Sequence, residues 1–200
     1  MTKHRSADER YAQILKAAKA CFLERGYFAT RVDQIAKKAG LSKGGVYFHF
    51  KSKREIFMAL VDEEYSRAMG AIDSVTMGEG DALSKLLTLA EHFTRVFEAG
   101  DEPKFLIVIG EMALRDPEVR EQLLAVQQSY IDKIAELVEW GVREGHLREG
   151  LDAPTVALLL KAQLDGIQVA FAAGTPMELE RVLPAALDMF MRALGASPQG

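Results

Sequence analysis

The sequence predicts an all-α protein of about nine helices, and three observations predict it. Apolar residues recur at spacings of three and four along most of the 200 residues, the period that lays one apolar stripe along a helix. Only six prolines occur, and most stand where a helix is expected to start. Glycines fall just past the ends of the periodic stretches, where a chain leaving a helix needs the left-handed conformation. With 48% hydrophobic residues the chain can bury a sizeable core, in one domain or in a small one followed by a larger one.

Residues 1–7 read as a flexible basic arm. The first helix is expected over Asp8–Arg25, with Ile14, Ala17, Ala18, Cys21 and Phe22 on one face, Gly26 as terminator, and Tyr27 and Phe28 completing the same core. Cys21 is the single cysteine; it reads as a small buried hydrophobe, and with no second thiol to pair with it suits a reducing cytosol. Val32, Ile35, Ala36 and Ala39 predict a second, short helix that Gly40 ends, with Leu41 dropping beneath the turn. Ser42 is a good N-cap for a third short helix, Lys43–His49, with Val46 and Phe50 inward and Lys43, Gly44, Tyr47 and His49 outside. Two short helices joined by a tight glycine turn make a helix-turn-helix, whose second helix can enter a DNA major groove.

Ser52-Lys53-Arg54-Glu55 fits a capping box, opening a fourth helix through Ile56, Phe57, Leu60, Val61 and Tyr65 to about Val75. Its tilt is the natural lever between a head and a body. Gly78, Gly80 and Asp81 form a hinge and a new cap for a fifth helix, roughly Ala82–Ala99, which Gly100-Asp101-Glu102-Pro103 breaks. Lys104–Arg115 is apolar nearly all round, so it is expected to be enclosed by neighbours. Asp116-Pro117 starts a long seventh helix ending near Gly145, and Asp152 with Pro154 opens an eighth that continues to Gly174. Its Ala162, Gly166, Ala170 and Gly174 form a ridge of small residues that lets another helix approach closely. Thr175-Pro176-Met177-Glu178 reads as another capping box before the ninth helix, in which Pro184 either kinks the helix or ends a first short segment.

Charge is unevenly distributed. The net −4 divides into +9 over Met1–Arg54, with 13 Lys and Arg against 4 Asp and Glu, and −13 over the rest, with 12 against 25. A basic module on an acidic one is the footprint of a protein that turns one end to DNA phosphates. The N-terminus lacks the apolar stretch of a secretory signal, and no run is expected to approach the roughly 18 apolar residues of a membrane span. His4, His49, His92 and His146 are scattered without metal-ligand spacing, so no metal or cofactor is expected. There is no ordered Ser/His/Asp or Cys/His set and no phosphate loop after a strand, which argues against an enzyme.

The run Gly40-Leu41-Ser42-Lys43-Gly44-Gly45-Val46-Tyr47-Phe48-His49-Phe50, with Lys53 after it and Ile35-Ala36 before it, resembles the DNA-binding signature of TetR-type bacterial transcriptional regulators. Arg31 departs from the Ser or Thr common at that position, though a cation there still suits DNA. The resemblance implies a helix-turn-helix domain over residues 1–51 and a helical ligand-binding and dimerisation domain over 52–200. It implies that Lys43 and Gly44 reach the groove floor, that Tyr47, His49 and Lys53 bond phosphates, and that Thr30 and Arg31 hold the opposite strand, with Ser42, Gly45 and Lys51 completing the surface. Replacing Lys53 is then expected to weaken binding to every sequence and flatten its salt dependence, and replacing Lys43 to alter sequence preference.

The last two helices look more apolar than a monomer needs, and a homodimer is the simplest cover, through Leu160, Leu164, Gly166, Ile167, Ala170, Leu187, Phe190, Met191 and Leu194. Two heads imply a palindromic operator. The body is expected to hold a small-molecule inducer or corepressor against Met69, Phe93, Phe97, Met112, Tyr130, Ile134 and Phe171, with Glu111, Gln127 and Gln163 as polar anchors. The reading is a cytoplasmic repressor released from DNA by a largely apolar ligand. The alternatives are a helical small-molecule-binding protein with a vestigial head, and a DNA-binding activator without an inducer.

Overall fold

The computed structural model describes the backbone of residues 6–98 and 102–195 and, within these, every side chain except those of 93–98, 102 and 103. Among the described residues the chain forms nine helices and no strand: α1 (Ala7–Ala29), α2 (Val32–Lys38), α3 (Lys43–His49), α4 (Lys53–Thr76), α5 (Ala82–Glu98), α6 (Glu102–Ala113), α7 (Pro117–Arg143), α8 (Ala153–Ala172) and α9 (Leu179–Ala193). The first five residues of the expected arm lie outside the described residues, as do the side chains of Phe93 and Phe97.

Local capping accounts for most helix ends. Ser6 and Glu9 form a reciprocal box at the start of α1, at 2.9 and 3.1 Å, and the helix begins at Ala7, one residue earlier than expected. Gly26 (φ +74°) interrupts α1 as expected, and a last short turn follows it. At the end of α2, Gly40 takes φ +63°, and the Leu41 amide donates to the Ala36 carbonyl at 2.9 Å. That is the paired closure a left-handed glycine permits. Asp116 caps α7 by accepting from the Glu118 and Val119 amides at 3.0 and 3.4 Å, and Asp81 caps α5 through the Ser84 amide at 2.7 Å.

Three local expectations are corrected. Ser52 accepts from the Glu55 amide at 3.1 Å, but the Glu55 carboxylate reaches back to the amide of Lys51, not to that of Ser52. The Thr175 box does not form, because the Thr175 amide donates to the Ala170 carbonyl at 2.9 Å and so closes α8 behind Gly174 (φ +82°). The ninth helix therefore starts only at Leu179 and runs unbroken past Pro184, which lies one turn in. Finally, α6 is not enclosed all round: Phe105 and Ile109 are fully buried, whereas Leu106 and Ile107 are exposed.

Compactness divides the chain into two units, and they do not follow the functional boundary expected at 51/52. One comprises Met1–Ser66 with Phe105–Arg120, the other Arg67–Lys104 with Glu121–Gly200. The first is built on Ile14, Phe22, Ile35, Val46, Phe57 and Phe105, all fully buried, with Phe57 edge-on to Phe22 at 5.7 Å. Cys21 lies in this core, where burial pushes its thiol pKa up. Arg54 ties the start of α4 to the start of α7, donating to both Asp116 oxygens at 2.8 and 3.2 Å and to Glu118 at 2.6 Å. The second unit packs Ile72, Leu89, Ile134, Val138, Leu147 and Ala157 into one core. Its buried Lys85 donates to the last-turn carbonyl of Thr76 at 2.7 Å and lies over the Trp140 ring.

Candidate nucleic-acid interface and ligand cavity

The site begins with the orientation of α3. Ser42 closes its N-terminus by accepting from the Gly45 amide at 3.0 Å. Val46 is fully buried and Phe50 nearly so, and these two side chains fix the roll of a seven-residue helix. Lys43 and Gly44 are exposed as a consequence, Tyr47 is 44% exposed, and the Lys43 ammonium lies 5.9 Å from the centre of the Tyr47 ring. His49 is half-buried, with its ring edge-on to that of Phe48 at 5.2 Å. Lys51 is exposed, Gly45 is half-buried, and a Cβ on Gly45 would stand 3.4 Å from the Ser42 hydroxyl. At the start of α2, Arg31 is exposed, and its amide is capped by Gln34 Oε1 at 2.8 Å. Its side chain thus stays outside, 3.4 Å from Asp33, although no hydroxyl occupies the cap position.

Two of the expected DNA contacts turn inward instead. Thr30 is 1% exposed, and its hydroxyl bonds the Gly26 and Cys21 carbonyls at 2.8 and 3.1 Å. The Lys53 ammonium donates to the carbonyls of Tyr27 and Thr30, both at 2.7 Å, and of Phe28 at 3.3 Å, and lies 4.3 Å from the centre of the Tyr27 ring. The cause is the end of α1. A helix leaves its last carbonyls without intrahelical donors, and Thr30 and Lys53 supply donors at this end. Burial accordingly holds the Lys53 ammonium below its usual pKa.

Phe48 was not among the expected contacts, yet it is 84% exposed, more than any other large apolar side chain described. Its place in the sequence, two residues past Val46, was a usable signal, since two helical steps of about 100° carry a side chain to the opposite face.

In the second unit a cavity of about 280 Å³ opens among residues of α5, α7, α8 and α9. Of the expected ligand wall it contains Ile134 and Gln163 alone among the described side chains. Tyr130 is buried in the neighbouring core, Met69 packs against that core, and Gln127 and Phe171 are half-buried. Met112 belongs to the first unit, and Glu111 is exposed. The wall also takes in seven of the residues expected at the dimer contact: Leu160, Leu164, Ile167, Leu187, Phe190, Met191 and Leu194. Of these, Leu160, Leu164 and Ile167 face inward because Ala153 and Ala157, one turn apart on α8, are buried in the core and set the roll of that helix.

What α8 shows to solvent is therefore a different stripe. Leu158, Leu159 and Val169 are 53, 58 and 56% exposed, Ala162 and Gly166 lie exposed between them, Ala170 is half-buried, and Met189 on α9 is 62% exposed. A Cβ added to Gly166 would meet nothing within 4 Å. By length and mean hydropathy (1.3) α8 could cross a membrane, with 11% of its apolar window buried, which corrects the expectation that no stretch comes near that threshold.

Comparison with known proteins identifies the family. Residues 14–60 match the family of bacterial regulatory proteins named for tetR, and residues 89–195 match the C-terminal domain of BetI-type transcriptional repressors. The Bacillus subtilis regulator YdgC is 30% identical over 82% of this chain and 81% of its own. The fatty acid metabolism regulator protein of the same organism is 27% identical over 78% and 80%. The structure of SmeT, repressor of a Stenotrophomonas maltophilia multidrug efflux pump, superposes with a TM-score of 0.74 at 29% identity, over 92% of this chain and 89% of that one. A helix-turn-helix with its basic face outward, followed by a helical body matched along most of its length, places the chain in the TetR family of DNA-binding bacterial transcriptional regulators.

Proposed function

We propose that the chain is a homodimeric repressor that holds a palindromic operator with α3 of each protomer and releases it when a small, mainly apolar molecule fills the α5–α7–α8–α9 cavity. In this reading residues 1–51 are the DNA-reading head and 52–200 the body, and the protein works where the chromosome is, in the cytoplasm. The observation that carries the DNA half is the roll of α3, which buries Val46 and leaves Lys43, Gly44 and Tyr47 outside together with Arg31 and Lys51. These groups supply both phosphate contacts and base-edge donors.

The ligand half rests on the cavity. It is near the lower end of the size of small-molecule sites and almost wholly apolar. Glu91 and Glu180 are the charged groups among its described lining residues, with Gln163 as a neutral polar one. Such a wall favours a neutral or cationic apolar molecule over a carboxylate, since a carboxylate would lose its hydration beside like charge. SmeT, 28% identical, has been solved as a complex with triclosan, a precedent for an apolar ligand in a repressor of this fold. A ligand that binds both conformations equally shifts nothing, so the inducer must prefer the form with low operator affinity.

The dimer rests on the exposed α8 stripe. Its small residues at every fourth position allow close approach of a second copy about a two-fold axis. Band-shift titration against the protein's own upstream DNA and random DNA, at several salt concentrations, tests the reading. A preference for the upstream DNA that survives rising salt, and that neutral or cationic apolar compounds abolish, is expected. Equal affinity for both DNAs throughout, unmoved by any compound, overturns it.

A further inference from the structure

We propose that Phe48 is a base-reading residue that packs its ring against a thymine C5-methyl group in each half-site. The inference rests on the proposal that α3 enters the major groove. At about 100° per residue, Gly44 and Phe48 are the two α3 positions farthest round the helix from buried Val46, one turn apart on its outermost edge. Lys43 and Tyr47 flank this edge on one side, Gly45 and His49 on the other. Whatever α3 inserts into, Phe48 meets it first.

A singly exposed apolar residue is ordinary on a protein surface and by itself needs no explanation. Here three further features distinguish it. The ring stands 84% in water on a helix whose other outward residues are polar or lack side chains. The His49 ring lies edge-on to it at 5.2 Å, a contact that limits the directions the phenyl can take. Gly44 adds no bulk one turn earlier: even a Cβ there would have only the Ser42 hydroxyl near it, at 3.9 Å, so nothing keeps the helix from lying close against the base edges.

The major groove offers a single apolar feature for such a ring, the methyl of thymine. The donors of Lys43 cannot read it. Phe48 thus adds thymine recognition to the guanine recognition that Lys43 can provide.

The test uses duplexes selected by the wild-type chain from a random-sequence pool. In these each thymine is replaced in turn by deoxyuridine, which removes the methyl and leaves base pairing unchanged. Burial of one methyl corresponds to about fourfold in affinity. The wild-type protein should therefore bind about fourfold more weakly when one thymine per duplex is changed at the contacted position, and about 15-fold more weakly when both half-sites are changed. Phe48→Ala should bind thymine and uracil duplexes alike, and Phe48→Leu should keep part of the difference. Because the ring is exposed, the melting temperature of Phe48→Ala should match the wild type. Wild-type binding that ignores the methyl at every thymine, or Phe48→Ala that keeps the full difference, overturns the inference. If the wild-type chain enriches no sequence at all, the groove-reading role of α3 falls with it; if it enriches a sequence whose methyls are ignored, this inference alone falls.

Discussion

Adjacent residues of α8 are assigned opposite duties, and exchanging the chemistry of one at a time tests this. Leu158, Leu159, Val169 and Met189 keep 53, 58, 56 and 62% of their surface in water. Complete burial of a large aliphatic side chain stabilises by about 1.5–3 kcal/mol, so covering the open half of each is worth about 1 kcal/mol, or roughly 8 kcal/mol for the eight in a symmetric pair. That is the size of the free energy of a micromolar complex, about 8 kcal/mol, with contacts along the Ala162 and Gly166 ridge left to offset the cost of association. Replacing Leu159 and Val169 together by glutamate removes half of that term, about 4 kcal/mol, and faces carboxylates across the two-fold axis. The dimer should weaken at least about 10³-fold. Sedimentation velocity at micromolar protein should show the double variant as a monomer. Leu160→Ala, one position along but in the cavity wall, should remain dimeric and lose ligand response. A double variant that stays dimeric while Leu160→Ala dissociates would refute the reasoning and return the interface to the inward-facing leucines.

Three further outcomes are expected. Lys53→Met takes the ammonium donor from the Phe28 and Thr30 carbonyls, while that of Tyr27 keeps the Thr30 amide, and should lower stability by about 2 kcal/mol, or roughly 4–8 °C in melting temperature. The salt dependence of DNA binding should flatten for Lys51→Ala or Lys43→Ala and not for Lys53→Met; a flattened slope with an unchanged melting temperature would restore Lys53 to the phosphates. The Arg54 guanidinium, with the Val119 and Glu118 amides, holds the Asp116 carboxyl below the usual carboxylate range. Its folded pKa is thus below its unfolded value of about 3.9, so its stabilisation is present above that pH and is lost as pH falls through the folded pKa. Asp116→Asn should therefore be less stable than wild type at neutral pH in urea titrations, by a gap that narrows towards pH 3; a gap independent of pH would assign the effect to packing. Gly141→Ala gains about 1 kcal/mol of helix propensity but puts a Cβ 2.8–2.9 Å from the buried side chain of Leu147, a clash costing about 1–3 kcal/mol. A net lowered urea midpoint is expected, and a raised one would mean that Leu147 repacks freely.

How far the fold could be read in advance depended on whether a residue's chemistry also fixed its direction. Gly40, Ser42, Asp81 and Asp116 act within one turn of their own position, and the ends they were expected to make are the ends observed. The α3 surface was readable for the same reason: a single buried residue, Val46, orients seven positions, and what remained unread was the consequence for Phe48. Thr175 failed because two local signals competed for one amide, and the glycine closure of α8 took it before a cap for α9 could form. The facing of α8 failed differently. Leu158, Leu159 and Leu160 are consecutive, so periodicity cannot say which is inside, and the choice falls to Ala153 and Ala157, whose burial depends on residues such as Val138 and Leu147 far along the chain. Lys53 shows the same limit in charge. A lysine in a basic segment reads as a phosphate contact, but the free carbonyls at the end of α1 compete for the same ammonium, and only their position in space shows that they hold it. A positive count in the head therefore tells that DNA is the partner, whereas which cations touch it follows from the carbonyls and carboxylates that have already engaged the rest.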